Sequence, residues 1–145
     1  MLSRDFKEFV ALLNSHGVEY LVVGGYAVVM HGRPRYTGDL DIWVRSSPDN
    51  AARLMRTLNE FGFGELGLKE ADFLKREHVV QLGYPPFRID LLTDIDGVRF
   101  DAAWPQKQVV IHDGLNINLI GLSDLKKNKK ATGRPRDIDD LENLP

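Results

Sequence analysis

The chain has 145 residues, of which 43% are hydrophobic and 28% charged, and its formal net charge is −2 at pH 7. This length and composition are typical of one globular domain with a buried core, and the near-neutral charge excludes a global field that attracts nucleic acid or membrane. The absence of cysteine excludes disulfides, a thiolate metal site and a cysteine nucleophile.

The chain begins with a predicted amphipathic helix. Its first residues, 1–7, lack the apolar core of a signal peptide, and no apolar run approaches the roughly 20 residues that span a bilayer. We therefore expect a cytoplasmic protein. Apolar residues at helical spacing follow Ser3, which can cap the helix, and Gly17 predicts its end.

The next segment predicts a strand, a turn, a short helix and a second strand. Residues 20–23 are continuously apolar and predict a short buried strand. Gly24 and Gly25 predict the turn, and residues 26–31 a helix that ends at Gly32. Residues 33–38 form a loop, and residues 40–44 predict the second strand.

The remaining two thirds of the chain predict one further helix, two strand pairs and a helical end. In order, these are a helix opened by Ser47 and closed at Gly62, an irregular stretch over 62–69, paired strands over 78–82 and 87–92, a hairpin of 109–111 and 115–120 around Asp113-Gly114, and a helical region from Ser123 to Leu144 interrupted over 132–135. No repeat, low-complexity segment or linker is present. We predict one α/β (α+β) domain over residues 1–145, with a mixed, twisted sheet and helices packed against it.

Three aspartates lie on predicted strands. Asp39 and Asp41 are separated by one residue and so project to the same face of a strand, and Asp90 lies in a second apolar strand. An Asp-x-Asp pair alone is equally typical of a solvated acidic strand start. Carboxylates inside apolar strands are costly to bury without a partner. The three together are better explained by a shared metal, which suits paired Mg²⁺ ions.

Gly24 and Gly25 stand where a strand passes into a helix. Without a Cβ, their backbone amides can approach an anion at the helix start, although the same pair is also typical of a plain tight turn. Because this turn precedes the aspartates by a short loop, the segment has the components of a phosphoryl-transfer site.

Residues 24–41 and 125–142, with Asp90 between them, resemble the DNA polymerase β-like nucleotidyltransferase superfamily. Within it they are most similar to AbiEii-like and related uncharacterised bacterial proteins, many of them from toxin–antitoxin or phage-defence settings. One departure is that many catalytic members carry Ser after the first glycine, where this chain has Gly25.

The resemblance implies transfer of a nucleoside monophosphate from a nucleoside triphosphate to an acceptor hydroxyl. Asp39, Asp41 and Asp90 would be the catalytic residues and the ligands of two Mg²⁺ ions, with Mn²⁺ as an alternative, and Asp90 would accept or orient the acceptor proton. The amides of Gly24 and Gly25 would bind the phosphates.

Basic residues supply further candidate nucleotide ligands. Arg33 and Arg35 lie in the loop before the aspartates, where a guanidinium can clamp phosphate or remain solvated. By the same resemblance, Lys129 and Arg134 of the basic C-terminal segment would face the site, and Asp137 would pair with one of them.

Three functions remain open at this point. The first is an enzyme that modifies a macromolecular acceptor, RNA or protein, in a toxin–antitoxin or defence setting. The second is a small-molecule, antibiotic-type nucleotidyltransferase. Those relatives usually carry an additional C-terminal helical domain for the acceptor, which argues against this second function unless a dimer completes the site. The third is a non-catalytic nucleotide-binding or antitoxin-like module.

Overall fold

The computed structural model describes residues 2–145 as six β-strands in one sheet with six α-helices. In chain order the elements are α1 (Arg4–Ser15), β1 (Tyr20–Val23), α2 (Gly24–Met30), β2 (Leu40–Val44), α3 (Pro48–Phe61), β3 (Val79–Leu82), β4 (Ile89–Leu92), α4 (Phe100–Ala103), β5 (Gln108–His112), β6 (Leu115–Leu119), α5 (Leu122–Thr132) and α6 (Pro135–Asn143). Short 3₁₀ turns occupy Glu70–Phe73 and Trp104–Gln106.

The sheet is mixed, as the sequence predicts, and its strand order is β3-β4-β2-β1-β6-β5. The pairs β2/β4 and β1/β6 are parallel, whereas β1/β2, β3/β4 and β5/β6 are antiparallel. The two strands that carry the predicted aspartates, β2 and β4, are therefore direct neighbours. Leu40 pairs with Ile89, and Asp41 with Asp90.

The helix boundaries follow from local capping chemistry. The Ser3 side chain accepts a hydrogen bond from the Phe6 amide at 3.2 Å, which starts α1. Ser47 caps α3 in the same way, with Pro48 in its first turn, and Gly62 ends it with φ of 104°. The predicted hairpin turn is also present, because Asp113 and Gly114 have φ of 50° and 77°.

The core is formed where the helices cover the central strands. All four residues of β1 are buried, which explains its continuous apolar run. Phe6, Phe9 and Leu13 form the buried face of α1, which packs against α3. Among residues 2–145, no helix has the length and apolarity needed to cross a membrane.

Two parts of the fold differ from the sequence prediction. Gly24 and Gly25 are not a separate turn but the first residues of α2, which begins directly after β1. The segment between β4 and β5 contains α4, which the sequence did not predict because it is only four residues long. Its Phe100 ring packs edge-on against Trp43 of β2, with 5.0 Å between the ring centroids.

Candidate active site

A polar cavity of about 520 Å³ lies beside β2 and β4, between the start of α2 and the helices α5 and α6. It brings together eight of the nine residues that the sequence nominates for catalysis or ligand binding. These are Gly24, Gly25, Arg35, Asp39, Asp41, Asp90, Lys129 and Arg134. The ninth, Arg33, does not line the cavity.

Two of the three carboxylates, Asp41 and Asp90, lie on adjacent parallel strands, and Asp39 stands directly before the first of these strands. Asp41 is the cross-strand partner of Asp90, and Asp39 lies two residues before Asp41 on the same side of the pleat. Asp90 is 8% exposed, so its carboxylate is largely removed from bulk water. Three like charges at this spacing repel one another and favour a bound cation or a proton.

Both glycines at the start of α2 lack a Cβ, and side chains from other parts of the chain occupy the space that a Cβ would need. A Cβ on Gly24, which has φ of 66°, would lie 2.1 Å from Oδ2 of Asp41. A Cβ on Gly25 would lie 2.2 Å from Oγ1 of Thr37. The Thr37 hydroxyl thus fills the space that a serine side chain at position 25 would need.

We expect Gly24→Ala to destabilise the fold by more than a comparable glycine replacement elsewhere. Gly67 is the matched control, since its φ is 74° and a Cβ there would meet nothing within 4 Å. Gly67→Ala should cost about 1–2 kcal/mol of unfolding free energy from backbone strain alone. Gly24→Ala should cost at least about 1 kcal/mol more, because Asp41 must move. Urea unfolding measures both, and equal losses would contradict the close contact.

Burial, followed by the negative charges of Asp90 and Asp39, raises the pKa of Asp41 to about 7, although the positive charges of Lys129 and Arg88 oppose the shift. Among residues 2–145, none donates a hydrogen bond to the Asp41 side chain. Asp41 is therefore the carboxylate for which a bound cation would bring the largest relief of unfavourable charge.

The raised pKa of Asp41 predicts a specific pH dependence of stability without metal. Between pH 3.8, the ordinary value, and about 7, the folded state retains a proton that the unfolded state has lost. The free energy of unfolding should thus fall across this window, by up to about 4 kcal/mol, and become level above it. Asp41→Asn should lack this component. Urea unfolding of both proteins in a chelator measures it, and parallel pH curves would exclude it.

Arg88 lies between two of the carboxylates, and the sequence analysis did not nominate it. Its Nε donates to Oδ1 of Asp90 at 2.9 Å, and its Nη2 donates to Oδ2 of Asp90 at 3.1 Å. The same Nη2 donates to Oδ2 of Asp39 at 2.7 Å. The signal was present in the sequence, because Arg88 and Asp90 are two residues apart within the strand predicted over 87–92 and would share a face.

The cavity also fits a divalent cation by its chemistry. Among residues 2–145, no three His, Cys, Asp or Glu side chains are arranged around a common metal position. In this arrangement the Arg88 guanidinium bridges Asp39 and Asp90. The donor set is nevertheless one of carboxylate oxygens, which Mg²⁺ and Mn²⁺ prefer, and no ion pair or hydrogen bond within residues 2–145 involves the Asp41 side chain.

A buried ion network anchors the loop between α2 and β2 to the last helix. The Asp140 carboxylate is 1% exposed and contacts three cations. It lies 3.1 Å from Nη1 of Arg33, 3.0 Å from Nη2 of Arg35 and 3.1 Å from Nζ of Lys129. Arg33 also reaches Asp139. In this arrangement Arg33 ties the loop to α6, and its role in phosphate binding stays a prediction.

Asp137 pairs with both residues that the sequence analysis proposed for it. It lies 3.2 Å from Nζ of Lys129 and 2.7 Å from Nε of Arg134. Burial opposes the charged form, but hydrogen bonds from Arg134, Thr132 and Lys129 lower the pKa of Asp137 to about 2. Lys129 is buried between the carboxylates of Asp137 and Asp140, whereas the Arg134 side chain is 74% exposed and borders the cavity while it pairs with the buried Asp137.

Two exposed acids, Asp94 and Asp96, lie at the rim of the cavity. Both side chains are exposed to solvent, and both line the cavity. At Asp94 the cavity meets two neighbouring clefts, both of which contain Arg76 and Arg99. The cavity rim thus carries the negative charges of Asp94 and Asp96, and the neighbouring clefts carry the positive charges of Arg76 and Arg99.

Comparisons with known proteins agree with this architecture. The family model described as Aminoglycoside-2''-adenylyltransferase matches residues 5–113, which is most of the chain. A Thermotoga maritima structure described as a candidate nucleotidyltransferase is 18% identical, with a TM-score of 0.63 over 96% of this chain and 89% of that one. An antigenic nucleotidyltransferase-like protein from Paracoccidioides brasiliensis is 16% identical, with a TM-score of 0.57 over 98% of this chain and 76% of that one. No curated protein sequence gives a significant match.

Proposed function

The chain belongs to the aminoglycoside-2''-adenylyltransferase family, a family of nucleotidyltransferases, and from this premise we propose that it transfers a nucleoside monophosphate from a nucleoside triphosphate to an acceptor hydroxyl with the help of divalent metal. The observation that carries the proposal is that Asp39, Asp41 and Asp90 line one cavity beside the paired strands β2 and β4, which Gly24 and Gly25 also border. The likeness to AbiEii-like proteins stays a prediction.

The three aspartates and the metal ions would have separate roles in this reaction. Bound Mg²⁺, or Mn²⁺, would neutralise charge on the triphosphate and lower the pKa of the acceptor hydroxyl. Asp39 and Asp41 would hold the ion that accompanies the triphosphate, and with Asp90 they would hold a second. Asp90 would also accept or orient the acceptor proton. The catalytic contribution of the protein is mainly positioning, as in other phosphoryl transfers.

The phosphates would be held by backbone and by arginine. The amides of Gly24 and Gly25 border the cavity without a Cβ that would block a phosphate oxygen. The exposed Arg134 can supply two parallel N–H donors to phosphate. Arg35 lines the cavity as well, while Lys129 contributes positive potential from its buried position.

A small polycationic alcohol of the aminoglycoside type is the first candidate acceptor. The family description names such an acceptor and an adenylyl donor, so ATP is the corresponding donor. Asp94 and Asp96 at the cavity rim are exposed carboxylates that can pair with ammonium groups. The residues matched by the family model end at 113, so α5 and α6 lie outside the comparison.

A macromolecular acceptor is the second candidate, and a separate observation favours it. The clefts that meet the cavity at Asp94 contain Arg76 and Arg99, neither of which forms an ion pair within residues 2–145. Two free guanidinium groups beside an active site suit the phosphate backbone of RNA. The toxin–antitoxin setting and the participation of a second subunit remain predictions.

A transfer assay separates these candidates. The protein is incubated with α-labelled ATP, GTP, CTP or UTP and Mg²⁺ or Mn²⁺, with aminoglycosides, total tRNA or a cell lysate as acceptor pools. Metal-dependent transfer of label to one pool would support the function and identify the acceptor class. Absence of transfer together with loss of metal-dependent nucleotide binding would overturn it. Nucleotide binding without transfer would instead support the non-catalytic module.

A further inference from the structure

The Arg88 guanidinium occupies the position that a cation shared by Asp39 and Asp90 would need. Both oxygens of Asp90 accept a hydrogen bond from this one side chain, at 2.9 and 3.1 Å. Oδ2 of Asp39 accepts a third, at 2.7 Å. A divalent ion cannot take the same oxygen directions while the guanidinium is there, because like charges so close repel strongly.

Asp41 is placed differently from its two neighbours. Arg88 reaches Asp39 and Asp90, but no described hydrogen bond or ion pair within residues 2–145 involves the Asp41 side chain. The Asp41 carboxylate is thus open to a cation, whereas the carboxylates of Asp39 and Asp90 are already paired with the Arg88 guanidinium. The two predicted metal positions therefore differ in their accessibility before substrate arrives.

Arg88 can leave this position without disturbing the sheet. Its backbone is fixed, because the Leu40 amide donates to the Arg88 carbonyl at 3.0 Å at the beginning of β4. Its side chain is 27% exposed and borders the cavity, so a change of side-chain rotamer is sufficient to move the guanidinium into the open space. A triphosphate in that space offers the bidentate acceptor that a guanidinium prefers.

We propose that Arg88 is an internal counter-ion that keeps the Asp39–Asp90 position closed to free divalent cations and yields it when a nucleotide enters the cavity. This inference rests on the proposed nucleotidyl transfer and adds the order in which the metal ions and the nucleotide bind. Free metal binds weakly at the shared position, and the second ion enters with the nucleotide or after it. Arg88 is then a positioning residue whose side chain exchanges carboxylate partners for phosphate.

Metal binding without nucleotide tests the proposal directly. Mn²⁺ is titrated at about pH 8 and the free ion is measured by electron paramagnetic resonance. We expect Arg88→Gln to bind Mn²⁺ about tenfold or more tightly than wild type, since a positive charge next to the ligands is gone. Arg136→Gln is the matched control. Arg136 lines the same cavity and forms no ion pair within residues 2–145, so its replacement should change the affinity by about twofold or less.

Two further variants complete the comparison. Arg88→Lys retains the positive charge and should stay within about threefold of wild type. Adding Asp90→Asn to Arg88→Gln should abolish the gained binding, which locates it at the Asp39–Asp90 position. Thermal unfolding of each variant verifies that the fold is retained.

The outcomes separate this inference from the proposed function. Equal or weaker Mn²⁺ binding by Arg88→Gln, with metal-dependent transfer intact in wild type, overturns the role of Arg88 and leaves the enzyme. A lack of Mn²⁺ binding by every variant, with and without nucleotide, overturns both. If Arg88→Gln does not fold, the NMR resonance of the Arg88 Nε–H in the wild-type protein tests the proposal. It should change on addition of Mg²⁺ with a non-hydrolysable nucleotide and remain unchanged with Mg²⁺ alone, and a change with Mg²⁺ alone contradicts the proposal.

Discussion

Asp41→Asn is expected to reduce nucleotidyl transfer by at least about a thousandfold while the protein remains folded. The amide has the same shape as the carboxylate but no charge, so a metal ion loses a ligand and the transferring phosphoryl group loses the ion that neutralises it. Because burial and two like charges raise the pKa of Asp41 to about 7, the metal-free variant should be as stable as wild type or more stable at neutral pH. The labelled-nucleotide assay and urea unfolding measure the two effects on the same preparations.

Asp39 and Asp90 should show the same loss of activity for the same reason, but their effect on stability should differ. Each accepts hydrogen bonds from Arg88, so removing either carboxylate leaves this guanidinium with fewer partners. Asp49 provides the control, since it is exposed in the first turn of α3 and does not line the cavity. Asp49→Asn should transfer nucleotide at the wild-type rate. Asp41→Asn with more than about a tenth of wild-type activity would contradict the proposed metal role.

Asp140→Ala is expected to destabilise the protein by about 3–5 kcal/mol, which is the largest effect on stability that the structure predicts. The carboxylate is 1% exposed and lies within 3.1 Å of cationic groups of Arg33, Arg35 and Lys129. Its removal leaves three positive charges close together, and Lys129, which is 6% exposed, cannot regain full hydration. Urea unfolding at neutral pH gives the free energy directly.

The adjacent Asp139 is a matched control for this experiment. Its side chain is 60% exposed and contacts only Arg33 among the cations of the network, at 2.7 Å. Asp139→Ala should therefore cost about 0–1 kcal/mol, as exposed ion pairs usually do. A small loss for Asp140→Ala, comparable with that of Asp139→Ala, would show that the buried network contributes little.

The strands and their residues could be predicted closely because each signal was local. The apolar runs over 20–23 and 40–44 coincide with β1 and β2, and the Asp113-Gly114 turn defines the last hairpin. Ser47 and Gly62 predicted both ends of α3 for the same reason, since capping depends on residues adjacent to the helix. The four-residue α4 has too few residues to show a periodic pattern.

The candidate site was predictable in its acids and glycines but not in its counter-ions. Asp41 and Asp90 lie on paired strands with Asp39 directly before the first of them, and Asp137 pairs with Lys129 only eight residues away. Asp140, in contrast, meets Arg35 across a separation of 105 residues, which no local pattern encodes. Arg88 could have been found by its spacing from Asp90, but the sequence does not reveal that its guanidinium turns toward the carboxylates.

The contact between Asp140 and the loop of Arg33 and Arg35 has a consequence for protein synthesis. The two arginines leave the ribosome more than a hundred residues before the carboxylate that holds them. During translation the sheet strands β1 and β2 can pair early, yet the loop beside the aspartates stays without its anchor until α6 emerges. Interactions this distant in sequence form slowly, so we expect the active site to be the last part of the nascent chain to become ordered.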